Sequence, residues 1–140
     1  MPSLGAVSLA RRGDCHPDLQ RVLDRAIEFY DYTIIWAFRD KVAQDAAYLA
    51  KKSKKKWPNS KHNRMPSIAV DLAPWPLVYD AHPLDFAYMA GIIMCAAKLE
   101  GVELRWGGDW NKNLTSNDEG FKDLGHFELS LPTAEMRKYA

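Results

Sequence analysis

The chain predicts an α+β fold, a small antiparallel sheet with helices against one face and a polar site on the other. Residues 67–73 and 126–131 alternate apolar and polar side chains, as half-buried strands do. Residues 17–30 and 83–101 instead carry apolar side chains at helical spacing. A length of 140 residues suits one domain with a substantial core.

In chain order, residues 17–30 read as a helix. Pro17 suits its first position, with Asp14 or His16 ahead of it. Leu19, Val22, Leu23, Ala26, Ile27 and Tyr30 form its stripe. Residues 32–38 are rich in β-branched and aromatic types and read as a strand, with Arg39 at its C-terminal end. Residues 40–51 form a second helix with Val42, Ala46, Leu49 and Ala50 expected inward. The lysine run 51–56 reads first as a solvated loop, since blocks of like charge repel. Its functional alternative is attraction to anionic polymers; it is too short for nucleic-acid binding.

A turn is expected over residues 63–66, before the first alternating strand. There Ile68, Val70 and Leu72 point one way; Ser67, Ala69, Asp71 and Ala73 point the other. Pro74 and Pro76 stop it. Residues 77–80 suggest a short strand or hairpin arm. The long helix 83–101, with His82 as cap, is expected to cross the back of the sheet. Phe86, Met89, Ile92, Ile93, Ala96 and Leu99 would fill the core. Residues 103–106 read as a strand, Gly107 and Gly108 as a turn, and 111–120 as a polar loop. In the last strand Phe127, Leu129 and Leu131 oppose His126, Glu128 and Ser130, and Pro132 ends it.

Composition narrows the function classes. The net charge of +1 gives no global field for nucleic acid. Cys15 and Cys95 form no disulfide framework, and Cys95, inside an apolar run, is expected to be buried. Residues 1–10 do not make a signal peptide, and the longest apolar run, 86–97, is too short to span a membrane. The chain is therefore expected to be made in the cytoplasm without an export signal of its own.

The chemistry concentrates in residues 60–71 and 123–129. If the two alternating strands lie side by side, Asp71 meets His126 and His62 arrives over the turn. Two histidines and one aspartate suffice to hold a zinc ion with its fourth position open. Asp123, three residues before His126, is the expected general base. Glu128 shares a strand face with His126. It is expected to accept a hydrogen bond from a ligand histidine and fix that ring, and it is also the competing base. Arg39 is the expected electrophile, for a developing oxyanion or a substrate carboxylate; the bland alternative is a surface ion pair with Asp40 or Asp45. Asp109, Asn111 and Asn113 have the alternate spacing that opens a calcium loop, with Asp118 and Glu119 following. Leu114 stands where such a loop needs glycine, and an ordinary polar turn is the alternative.

These stretches carry a resemblance. Ser60-x-His62, Ala69-Val70-Asp71 and Asp123-x-x-His126-x-Glu128-Leu129 resemble the zinc D-alanyl-D-alanine carboxypeptidase family. The likeness is strongest to its small phage-endolysin branch, the L-alanyl-D-glutamate endopeptidases. It extends to His16-Pro17-Asp18-Leu19-Gln20, to Arg39 with Gln44, and to Arg105-Trp106-Gly107-Gly108-Asp109-Trp110-Asn111. The chain departs from the family in having Ala37 where glycine is frequent, and eight residues between His62 and Asp71 where some members have six.

The resemblance implies a Hedgehog/DD-peptidase-like fold with zinc on the open sheet face. It implies a zinc-dependent enzyme cutting the peptide stem of peptidoglycan, foremost between L-alanine and D-glutamate. A D-alanyl-D-alanine carboxypeptidase is the alternative within the enzyme class. A non-catalytic zinc module is the alternative outside it, and Asp123 argues against that. Ser60, Gln44 and Trp110 become candidate substrate contacts. The expected protein is a monomeric catalytic domain with no separate wall-binding domain and no membrane insertion. It would reach the wall after a separate pore-forming protein releases it.

Overall fold

A computed structural model describes residues 2–115 and 122–130. Among them are helices α1 (Ala6–Gly13), α2 (Pro17–Ala26), α3 (Lys41–Leu49) and α4 (Pro83–Leu99). The strands are β1 (Tyr32–Trp36), β2 (Ala69–Pro74), β3 (Leu104–Gly107) and β4 (Asp123–Leu129). They form one antiparallel sheet in the order β1-β2-β4-β3. Helices α2 and α4 pack together, and α4 lies across β2, β4 and β3. Ile68, Val70, Leu72, Leu104, Phe127 and Leu129 meet Leu19, Leu23, Met89, Ile93 and Ala97 in the core. The expected core faces of both alternating strands are thus the observed ones.

Local chemistry sets the boundaries. Pro17 and Pro83 open α2 and α4, and the rings of His16 and His82 accept the orphan amides of Asp18 and Leu84, each at 3.0 Å. Asp40 caps α3 through the Ala43 amide at 2.8 Å. Helix α1 covers β1. Ser8 Oγ accepts the Ile34 amide at 3.0 Å, and Arg11 donates to the Ile34 carbonyl at 2.6 Å. Main-chain groups at that sheet edge are thereby satisfied by side chains, which blocks pairing with another strand.

Several expectations are corrected. Helix α1 was not read from the sequence, because Ser8 is its one buried residue. Helix α3 does not bury its apolar stripe: Val42 and Leu49 are 80% and 81% exposed, Ala46 and Ala50 are exposed too, and Gln44 is buried instead. The buried side chains that Gln44 meets, Arg39 and Asn63, are polar. Leu99, in the last turn of α4, is exposed. Residues 77–80 form no strand; a 3-10 turn spans Val78–Asp80. Cys95 is exposed, whereas Cys15 is buried and its thiol pKa is pushed up to about 12 by burial. Gly107 ends β3 rather than forming a turn. Leu131, Pro132, Asp118 and Glu119 lie outside the described residues.

Candidate active site

The site sits on the sheet face opposite α4. Asp71 on β2 is the direct cross-strand partner of His126 on β4. His62 comes from a 3-10 turn, Lys61–Asn63, that precedes β2. Ser60 and Asn63 brace this turn as a capping box: Ser60 Oγ accepts the His62 amide at 3.2 Å, and Asn63 Oδ1 accepts the Ser60 amide at 3.0 Å.

Each histidine has one nitrogen committed and one free for a ligand role. His62 Nδ1 donates to the Ala37 carbonyl at 2.8 Å, because a carbonyl only accepts. Its Nε2 therefore faces the site. His126 Nε2 donates to Glu128 Oε1 at 2.9 Å, which turns Nδ1 inward. His62 Nε2, His126 Nδ1 and Asp71 Oδ1 then form a triangle with sides of 3.0, 3.2 and 3.3 Å. Tetrahedral ligands about 2.0–2.1 Å from a zinc ion are separated by roughly 3.3–3.4 Å. The three atoms thus fit one face of such a shell, and the group can hold a metal ion.

The charges agree. Burial opposes ionisation of Asp71, but the two histidines overcome it and hold its pKa far below the usual carboxylate range. Burial likewise disfavours the charged His126 ring, yet Asp71 and Glu128 outweigh it and raise its pKa to about 9. Without metal, a proton therefore sits where a cation is wanted. Glu128 is held ionised against its own burial by His126 and Lys61, and Arg105 pairs with the same carboxylate oxygen at 2.6 Å.

Arg39 is not a surface residue. It is buried, donates to Asp71 Oδ2 at 3.3 Å and to Gln44 Oε1 at 3.0 Å, and stacks 5.0 Å from the Trp36 ring centroid. Asp40 caps α3 and Asp45 pairs with Lys41, so neither holds it. Gln44, expected to touch substrate, is 0% exposed and does not line the cleft. It braces Arg39 from behind, and its Oε1 also accepts from Asn63 at 3.1 Å.

Asp123 reaches the site through a break in the ladder. Residues three apart on a regular strand point to opposite faces, which would turn Asp123 away from His126. The register instead jumps from Trp106↔Phe127 to Gly107↔Asp123, and this bulge brings Asp123 into the same cleft. Gly107 permits the approach: a Cβ there would lie 2.0 Å from the Asp123 carbonyl oxygen. Gly125 does the same on the other side, where a Cβ would meet the Leu72 carbonyl oxygen at 2.5 Å. Among the described residues, the Asp123 carboxylate takes no hydrogen bond or ion pair. Burial and the nearby Asp71 raise its pKa, partly offset by the histidines and Arg39.

The cleft, about 440 Å³, is lined by these groups together with Ser60, Lys61, Arg105, Trp110 and part of the lysine run. The Trp110 ring lies 5.5 Å from that of His126. Asp109, Asn111 and Asn113 belong to a different feature. Asp109 accepts the amides of Asn113 at 3.2 Å and Leu114 at 2.9 Å, as in an ordinary polar turn.

Comparison with known proteins then decides the family. The family model described as phage L-alanyl-D-glutamate peptidase matches residues 2–130. This chain belongs to that family. It is 36% identical over 120 residues to the L-alanyl-D-glutamate peptidase of Escherichia phage T5, covering 81% of this chain and 87% of the relative. The fold is similar to that of the Serratia marcescens L-Ala D-Glu endopeptidase ChiX, with a TM-score of 0.72 at 25% identity. That match covers 99% of this chain and 94% of ChiX.

In this peptidase, sequence reasoning did not single out Lys61, Asn63 or the Ala37 carbonyl. Arg105 fell within a motif of the resemblance but without a role. Their contributions depend on partners distant in sequence, and no local pattern marks them.

Proposed function

We propose that the chain is a zinc-dependent endopeptidase that cuts the L-alanyl-D-glutamate bond of the peptidoglycan stem. The observation that carries this is the triangle of His62 Nε2, Asp71 Oδ1 and His126 Nδ1 in a cleft that also holds Asp123. An imidazole and carboxylate donor set in a hydrolase favours zinc over softer or redox metals. A bound zinc ion supplies Lewis-acid polarisation and lowers the pKa of water to about 7.

The chain's own groups do the rest. Asp123, its basicity raised by burial, takes the proton of the attacking water and delivers it to the leaving amine. Arg39 donates to the reacting carbonyl oxygen as negative charge builds there. Glu128 keeps His126 in the tautomer that presents Nδ1. Ser60 holds the His62 turn and, with Trp110, lines the substrate cleft. Among the described residues no helix is long and apolar enough to cross a membrane. In the proposed setting the enzyme acts as a monomeric catalytic domain that a separate pore-forming protein releases to the wall.

Mass spectrometry of fragments released from purified sacculi, with and without chelator, tests the reading. New N-terminal glutamate that disappears with chelator is the expected result. Release of free D-alanine would instead identify a carboxypeptidase.

A further inference from the structure

The cleft carries more positive charge than the chemistry uses. Six basic side chains line it, Arg39, Lys52, Lys54, Lys55, Lys61 and Arg105, against the acidic Asp71, Asp123 and Glu128. The whole chain carries only +1. Lys61 and Arg105 are engaged with Glu128, and Arg39 with Asp71. Lys52 and Lys55 differ. Both are exposed, and among the described residues neither side chain has a hydrogen-bond or ion-pair partner.

The segment bearing them is anchored. The amides of Lys52 and Ser53 both donate to the Ala47 carbonyl, at 2.9 and 3.1 Å. The buried Gln44 donates Nε2 to Ser53 Oγ at 2.9 Å and to the Lys55 carbonyl at 2.7 Å. The same amide group holds Arg39 through its oxygen. One buried side chain therefore fixes both the arginine of the site and the lysine-bearing wall. Cations carried on an anchored segment beside a cleft of net positive charge favour an anionic ligand.

We propose that Lys52 and Lys55 form a carboxylate-binding subsite that recognises an ionised carboxyl group of the stem peptide beside the scissile bond. This rests on the peptidase reading above and adds a specificity to it. The amine side of an L-alanyl-D-glutamate bond is a residue with two carboxyl groups. At most one continues the peptide, and the other is anionic unless capped as an amide. The subsite would therefore favour ionised over amidated stems.

The test compares two synthetic stem peptides that differ only in that carboxyl group, free or carboxamide. Wild type, the Lys52→Gln/Lys55→Gln double variant and Lys56→Gln are assayed on both. Lys56 is the control, since its ammonium lies 5.1 Å from the Tyr48 ring centroid and does not line the cleft. The double variant should lose roughly 3- to 20-fold in kcat/KM on the acidic peptide, mostly through KM, and less than about 2-fold on the amide. Added salt should narrow the wild-type preference. Lys56→Gln should match wild type.

Equal losses on both peptides, or no loss, overturn the subsite. So does a loss confined to intact sacculi, which would assign the lysines to general attraction to an anionic wall. Calorimetric binding of both peptides to Asp123→Ala, with and without the lysine substitutions, reads the same preference without turnover. The bond cut by wild type is a separate readout, so failure of the peptidase reading is distinguishable from failure of the subsite.

Discussion

Glu128 lies two residues beyond His126 on the same face of β4, and its Oε1 sits 2.9 Å from the ring Nε2. That contact fixes which nitrogen of His126 faces Asp71. Glu128→Gln should therefore weaken metal binding by about 10- to 100-fold while costing turnover less once metal is saturating. Metal titration beside sacculus hydrolysis checks this. A dead variant with unchanged metal affinity would make Glu128 the base instead.

Asp123→Ala should keep fold and metal, because His62, Asp71 and His126 remain, and lose about 100- to 10,000-fold in rate. Gly107→Ala should imitate it in part, since a Cβ there collides with the main chain of Asp123. Metal content by mass spectrometry and the rate on sacculi together report on both. Full activity in Gly107→Ala would mean that the bulge does not place the base.

Arg39→Lys keeps the charge but loses the planar fork that spans Asp71 and Gln44. Turnover should fall with little loss of metal. Gln44→Leu strips partners from Arg39, Asn63, Ser53 and the Lys55 carbonyl at once. A destabilisation on the order of 1–3 kcal/mol is expected, seen as a lower Tm, together with reduced turnover.

The metal-free protein should respond to alkaline pH. The His126 pKa is raised to about 9, so its stabilisation is full below the ordinary value of 6.5 and is lost as pH rises through 9. Chemical denaturation of chelated protein should show a loss on the order of 3 kcal/mol across that window. The same proton competes with metal. Affinity should rise about tenfold per pH unit approaching 9 and flatten above it, measurable against a chromophoric chelator. A pH-independent affinity would place the proton elsewhere.

Much of this site was legible in the sequence because strand alternation has a period of two. Once Ile68, Val70 and Leu72 face the core, Asp71 must face away, and the same holds for His126 opposite Phe127. Asp123 was singled out by its spacing from His126, yet it reaches the cleft only through a bulge that no local pattern announces. Gln44 was placed against substrate because polar residues are ordinarily outside. Its burial depends on four partners from three other segments of chain. Helix α3 misled for the complementary reason: Val42 and Leu49 look like a core stripe, but both are exposed.

The strand order β1-β2-β4-β3 places the last of the described strands between two earlier ones. While a ribosome is still adding residues before Asp123, β3 has no neighbour in the sheet and the inner edge of β2 lies open. The same segment brings His126 and Asp123. Catalytic competence and closure of the sheet therefore depend on one segment, and a chain that stops upstream of β4 has neither.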